Sequence, residues 1–447
     1  MKRALPWLLL ACFVVYGVQA LGPWKARTWR ADSARDFASY YYAVQVAADG
    51  GDPYAKRALT VRAREDGTRK GGVHPFFYPP PFLLSFAWVL PLDLQAAFHT
   101  WFWVEHLFLL AVMLALWRWH PSRPMALALG VMAASFSPIP DNDWMGQANL
   151  FVLACVVPGL LLVERGRWRL GGALVGLGCM LKMSPALLVA WWLLQGRWRP
   201  VLAAVITALA LSLASLPLVG VDVQWRFFTE VLPGFGSGDY NGLTVPITLT
   251  HNHSIPSLLH ELFGGGATTS LEPTAGWVSR FITLALLGLL GWRFRRPGAD
   301  PLAALCQVGV VVVLMLVLPV YTYEHHMVWM LVPYAAAFAA LAAGRLGKLW
   351  WVLLVLAYLV QALPLDWLKE LYSELRVLGG LREPAYYLLR ESKFIAALLT
   401  GLACVLAAGR GAGRLGRTRP RHDAGRSLAP ARAPAAAAGS ALGQGDA

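Results

Sequence analysis

Apolar runs alternate with short polar connectors along nearly the whole chain. The opening MKRALPWLLLACFVVYGVQALG sets a basic tip before an apolar stretch. Further apolar segments lie near residues 95–117, 125–140, 147–164, 170–182, 184–196, 200–219, 277–292, 302–320, 327–343, 349–363 and 394–408. A helix needs about 20 apolar residues to cross the hydrocarbon core, so the pattern predicts an all-α polytopic membrane protein with about twelve transmembrane helices. At 13 residues, the segment 80–92 is too short to cross alone and is expected to be re-entrant or interfacial. The segments 170–182 and 184–196 are equally short and are read together as a hairpin.

Orientation follows from the basic connectors. WRWHPSRP (117–124), ERGRWR (164–169), GRWR (196–199), WRFRRPG (292–298) and GRLGK (344–348) should be cytoplasmic by the positive-inside rule. Lys2 and Arg3 favour an uncleaved first helix with a cytoplasmic N-terminus, a cleaved signal peptide being the alternative. The unusual polar stretches then all fall on the extracytoplasmic side: 22–79, 140–149, 182–185, 220–276, 321–326 and 364–393. Their convergence predicts one outward-facing site in a multi-pass protein of the cytoplasmic (inner) membrane. The 22–79 loop carries ten Lys or Arg residues against the rule, which long loops tolerate. It either meets anionic phosphates and lipid headgroups or is simply a solvated basic loop.

Composition agrees. Hydrophobic residues make up 57% and charged residues 14%, where a soluble domain carries roughly a quarter charged. The formal charge of +14 does not require nucleic acid, because the basic residues lie mostly between hydrophobic segments. Cys12, Cys155, Cys179, Cys306 and Cys404 sit inside apolar segments without metal-ligand spacing. The Ala/Gly/Pro/Arg-rich stretch from Arg410 is expected to be a disordered cytoplasmic tail, leaving a membrane domain at 1–409 and a tail at 410–447.

Polar groups in apolar surroundings carry the candidate chemistry. In ARDFASYYYAVQVAADGGDPY (34–54), Phe37, Tyr40, Tyr41, Val44 and Ala48 share one helical face, so this helix is expected to lie in the membrane interface. Asp36 stands at or near its start, as a helix cap or as a catalytic base. Asp32 is a competitor, while Asp49 and Asp52 read as turn residues. In HPFFYPPPFLLSFAWVLPL, three prolines favour an extended turn into the bilayer, and Phe77 and Tyr78 either line a lipid entrance or anchor the interface. In PDNDWMGQANLF, Asp141 and Asp143 are expected to face water. Gln147 and Asn149 enter the next helix, where amides suit sugar hydroxyls or helix–helix hydrogen bonds.

Lys182, isolated in LGCMLKMSPALL, needs an anionic partner or a watery cavity unless it snorkels; a phosphate would serve. In YTYEHHMVWML, His325 and His326 are adjacent and should point apart on a helix, a poor metal clamp, and H-E-x-x-H spacing is absent. Their imidazoles can instead donate to phosphate or a sugar hydroxyl, as can Asn252 and His253 in THNHS. No metal or cofactor is required by these motifs. Without a Walker loop, dinucleotide fingerprint or nucleophile elbow, a sugar transferase working at the outer face should draw on a lipid-linked donor.

The tyrosine run ending in GDPY, then YPPPFLLSFAWVLPL, GQANLFVLACVVPGLLLVERGRWRLGGALVGLGCMLKMSPALL, NHSIPSLL and YEHHMVWMLVP, resembles glycosyltransferase family 87. Those enzymes belong to the GT-C superfamily and are related to polyprenol-phosphate-mannose-dependent mannosyltransferases. The resemblance implies a GT-C-like helical bundle with interfacial helices and long extracytoplasmic loops. It also implies a polyprenyl-phosphate sugar donor, with mannose as the default hexose, and a lipid or glycan acceptor. By motif order Asp36 matches the family's base in an inverting transfer. Lys182, His325 and His326 would bind the donor phosphate, and Tyr40, Tyr41, Tyr78, Gln147, Asn149, Asn252 and His253 the sugar or acceptor. The basic stretch KRALTVRAREDGTRKGG departs from the pattern and leaves the acceptor open. The competing readings are a transporter or lipid flippase, with Lys182 as its coupling charge, and a noncatalytic membrane partner.

Overall fold

The computed structural model describes residues 4–21, 34–67, 72–249, 252–377 and 389–409, with side chains to 374 in the fourth stretch. The sequence expectations for Lys2, Arg3, Asp32 and the tail from Arg410 lie outside these residues, as do parts of KRALTVRAREDGTRKGG and THNHS. Among the described residues all regular structure is helical. The first helices are α1 (Leu5–Leu21), α2 (Arg35–Ala48), α3 (Lys56–Glu65), α4 (Pro81–Phe86), α5 (Leu94–Trp119), α6 (Arg123–Ser135) and α7 (Pro138–Met145). They are followed by α8 (Asn149–Glu164), α9 (Trp168–Leu181), α10 (Ala186–Leu194), α11 (Trp198–Arg226), α12 (Ile255–Leu262), α13 (Pro273–Arg293) and α14 (Pro301–Val317). A 3₁₀ turn at Glu324–Met330 leads into α15 (Leu331–Ala342), then α16 (Leu349–Ala362), α17 (Leu365–Val377) and α18 (Ser392–Gly409).

The chain is a multi-pass membrane protein. Among the described residues five stretches are long and apolar enough to cross: α5, α11 with its continuation to Ser237, α13, Glu324–Ala342 and α18. A sixth forms if α16 is joined to the start of α17 across a 96° bend, and α1, α8, α9 and α14 are shorter apolar helices. Where the apolar pattern suggested about twelve crossings, several segments are thus short or broken; the 14 residues of α9 rise only about 21 Å.

Small residues let three of these helices touch backbone to backbone. A methyl on Gly172 would meet Pro200 O at 2.4 Å, and one on Gly176 would meet Ala204 O at 2.5 Å, fixing α9 on α11. Gly159 and Gly171 join α8 to α9 in the same way. Lipid gives apolar helices little reason to associate, so close packing of small residues supplies the attraction.

Two expectations are corrected here. Helix α2 does not turn its apolar face to lipid: Asp36 through Ala47 are all buried within the protein. Its aromatic residues are enclosed by other aromatic rings, Phe37 packing on Phe86, Phe98 and Trp101, and Tyr40 on Phe82 and Phe86. Nor does Asp143 face water; it is 5% exposed, enclosed where α7 packs into the bundle.

Candidate active site

A cavity of about 690 Å³ is walled by the start of α2, residues 74–79, the α7–α8 junction, the α9–α10 break, the loop after α11, one side of α13 and residues 315–329. It gathers Asp36, Tyr78, Gln147, Asn149, Lys182, His325 and His326, drawn from five separate stretches of sequence.

Asp36 is in the first turn of α2, but the helix start has no side-chain cap bond. The carboxylate turns instead to other elements. Its Oδ1 is 2.9 Å from His74 Nδ1, and its Oδ2 accepts a 2.7 Å hydrogen bond from Gln147 Nε2. Burial works to raise the Asp36 pKa. The His74 hydrogen bond and charge, the charge of His325 and the Gln147 bond outweigh it, and the group is held below the usual carboxylate range.

Gln147 is delivered by a sharp turn. Helix α7 closes on Gly146 at φ +64°, a left-handed conformation suited to glycine, and an added methyl there would sit 2.6 Å from Phe37 Cβ. The Gln147 amide oxygen accepts from the hydroxyls of Tyr40 and Tyr78, at 3.1 and 3.2 Å. Tyr40 is thus buried behind the cavity wall, whereas Tyr78 is part of the wall.

Lys182 owes its position to a broken helix. α9 ends at Leu181, Lys182 is extended (φ −154°, ψ 131°), and α10 begins only after Pro185. The ammonium points inward rather than snorkelling, donating to Asn149 Oδ1 at 2.7 Å and lying 5.8 Å from the centre of the Tyr78 ring. Burial pushes its pKa down to about 7, against the opposing charge of Asp36. Asn149 Nδ2 in turn donates to His325 O at 3.1 Å and to Asn142 Oδ1 at 3.2 Å.

His325 and His326 do not diverge as neighbours on an α-helix would. Their ring centres lie 4.3 Å apart, edge to face, on the 3₁₀ turn, and both border the cavity. Among the described residues no three His, Cys, Asp or Glu side chains gather as a metal site would require.

Three of the expected sugar- or acceptor-binding residues point elsewhere. Tyr41 donates to Leu92 O. Asn252 donates to Ile247 O and Val320 O and accepts from Thr322 N, tying the outer loop to residues 320–322. His253 Nε2 is 3.2 Å from Glu324 Oε2, in a buried cluster where Lys393 also pairs with Glu324. Polar groups on a loop had to be satisfied somewhere, and here the scaffold satisfies them.

His74 and the aromatic residues Tyr240, Tyr321 and Tyr323 were not singled out from sequence, yet all border the cavity. His74 opens the quoted HPFFYPPPF run, but a lone loop histidine carries no periodic signal. The site therefore combines an ionised carboxylate, a half-buried ammonium, three imidazoles and several amides in one cleft.

Known proteins give this geometry a context. The chain is 31% identical over 211 residues, 46% of its length and 45% of the relative's, to the polyprenol-phosphate-mannose-dependent alpha-(1-2)-phosphatidylinositol pentamannoside mannosyltransferase of Mycolicibacterium smegmatis. It is 28% identical over 318 residues, 64% of the chain and 67% of the relative, to the corresponding phosphatidylinositol mannoside mannosyltransferase of the same organism. Its match to the Mycobacterium tuberculosis phosphatidylinositol mannoside enzyme is 29% over 239 residues, 51% of the chain and 49% of the relative. The chain thus spans about half the length of two of these relatives. A crystal structure of ArnT from Cupriavidus metallidurans, bound to undecaprenyl phosphate, overlays with a TM-score of 0.39 at 16% identity, covering 89% of this chain and 76% of that one. The sequence pattern of glycosyltransferase family 87 matches residues 76–319, more than half of the chain, which carries the break at Lys182 and the Gly146–Gln147 turn. The chain belongs to glycosyltransferase family 87.

Proposed function

We propose that this chain is a membrane mannosyltransferase that moves a mannosyl group from a polyprenyl-phosphate donor to a lipid- or glycan-linked acceptor at the extracytoplasmic face, by a single inverting displacement. The observation that carries the reading is the cleft shared by Asp36, Lys182, His325 and His326, in a chain of this family.

The chemistry follows from the charges. Asp36, held ionised, takes the proton as the acceptor O–H bond breaks. The acceptor oxygen bonds to the sugar's C1 from one face. The C1–oxygen bond to phosphate breaks on the other face, and its electron pair leaves on polyprenyl phosphate. Lys182 and the two imidazoles stabilise the charge that develops on the departing phosphate. Gln147 and His74 hold the carboxylate toward the cleft, and Asn149 steadies the ammonium.

The test is transfer by the full chain in lipid nanodiscs, using labelled polyprenyl-phosphate mannose and a glycolipid extract. The expected product carries mannose with the anomeric configuration opposite to the donor's. Retention of configuration would refute the single displacement, and transfer from another lipid-linked sugar alone would replace mannose.

A further inference from the structure

Helix α13 is apolar along most of its length and is among those able to cross the membrane. Between its first turn and Arg293, its only hydroxyl-bearing or charged side chains are Ser279, Arg280 and Thr283, and all three border the cavity. Polar groups on such a helix are costly unless a cavity or ligand receives them, and they mark functional surfaces. Ser279 is 6% exposed, and its Oγ has no hydrogen-bond partner among the described residues. The Arg280 guanidinium lies 4.9 Å from the centre of the Trp277 ring. No carboxylate of the described residues pairs with it. Arg280 is exposed at the cavity's border, and Lys182 lines the cavity from the α9–α10 break, so basic residues stand on two distinct walls.

We infer that Ser279, Arg280 and Thr283 form a second phosphate-binding subsite, and that its ligand is the phosphodiester of the acceptor lipid's headgroup. The inference rests on the transferase reading. There the donor's phosphate is met by Lys182, His325 and His326, which leaves the α13 wall for a second anion. A guanidinium and two hydroxyls on one helix wall suit a phosphodiester, since the guanidinium can donate twice to two oxygens of one phosphate. Arg280 lies seven residues into α13, about 10 Å along its axis, a depth that a lipid headgroup can reach from the membrane side. The three relatives are named for acting on phosphatidylinositol mannosides, lipids that carry such a phosphodiester.

The experiment compares wild type, Arg280→Gln, Arg280→Lys and Thr283→Val in nanodiscs of neutral lipid. Native mass spectrometry measures retention of phosphatidylinositol against diacylglycerol with the same acyl chains. Steady-state kinetics measures KM for polyprenyl-phosphate mannose and for a phosphatidylinositol mannoside. Wild type should retain phosphatidylinositol in preference. Arg280→Gln should weaken that binding and raise the acceptor KM by about tenfold, with the donor KM unchanged. Arg280→Lys should recover part of the loss. Thr283→Val, which keeps the side chain's shape, should raise the acceptor KM more modestly. A rise in donor KM instead would assign Arg280 to the donor phosphate and overturn the inference. Equal retention of both lipids by wild type, or unchanged constants in folded variants, would also overturn it. Arginine-dependent lipid binding without transfer from any lipid-linked sugar would keep the subsite and reject the transferase reading.

Discussion

Gln147 Nε2 donates a 2.7 Å hydrogen bond to Asp36 Oδ2 across 111 positions of sequence. The other end of that amide accepts from Tyr40 and Tyr78, so the NH₂ group is the end that faces the carboxylate. Gln147→Leu keeps the side chain's bulk and removes the donor. It is expected to lower kcat by about tenfold or more while leaving the donor KM near wild type, because the lost bond aims the base rather than holding the donor. Steady-state kinetics on folded protein checks this, and an unchanged kcat would count against it.

His74 sets the acid limb of the pH profile. Burial alone would raise the Asp36 pKa, and the His74 contact is the foremost effect holding it down. The base works when deprotonated, so activity falls as pH drops through its pKa. In His74→Ala the opposing effect is gone, the pKa rises, and the acid limb should move to higher pH. A limb that stays in place would show that His74 does not tune Asp36.

Lys182 sets the opposite limb. With its pKa pushed down to about 7, the ammonium is lost as pH climbs through neutrality. The donor KM should therefore rise above pH 7 in wild type, whereas Lys182→Arg, charged throughout, should flatten that rise. The check is the donor KM measured across pH for both proteins, with a parallel rise in the two disproving the assignment. Bound phosphate favours the charged form, so the fall at high pH should be weaker for kcat than for kcat/KM.

Gly146 links the fold to the site. Its positive φ and the 2.6 Å approach that a methyl would make to Phe37 Cβ leave no room for alanine. Gly146→Ala should cost about 1–3 kcal/mol of stability. It should also lower activity further than the stability loss alone explains, since Gln147 and Asn149 both follow this turn. A thermal unfolding curve beside a transfer assay separates the two effects.

Much of this was legible because a membrane punishes misplaced polarity. The apolar runs located α5, α8, α9, α13, α14 and α18 to within a few residues. Lys182 stood out as a lone charge in an apolar stretch, and Asp36 as a carboxylate just past the first such run. What stayed hidden depended on contacts distant in sequence. The pattern of α2 shows one apolar face, but it cannot show that Phe86, Phe98 and Trp101 wrap the helix from elsewhere. The 4.3 Å approach of the His325 and His326 rings depends on side-chain rotamers, which hydrophobic periodicity does not encode. Asn252 and His253 had the right chemistry for a sugar, but residues 320–324 offered them nearer partners.

The most direct test of the central claim is transfer by Asp36→Asn beside wild type. Both proteins would be purified into nanodiscs, shown to be folded, and given labelled polyprenyl-phosphate mannose with the glycolipid acceptor. Asparagine keeps the shape and can still meet Gln147 and His74, but it cannot take the proton. The account predicts transfer by wild type and a fall of about 10²–10⁴-fold in the variant, with donor binding preserved. Equal transfer by both proteins would contradict Asp36 as the base.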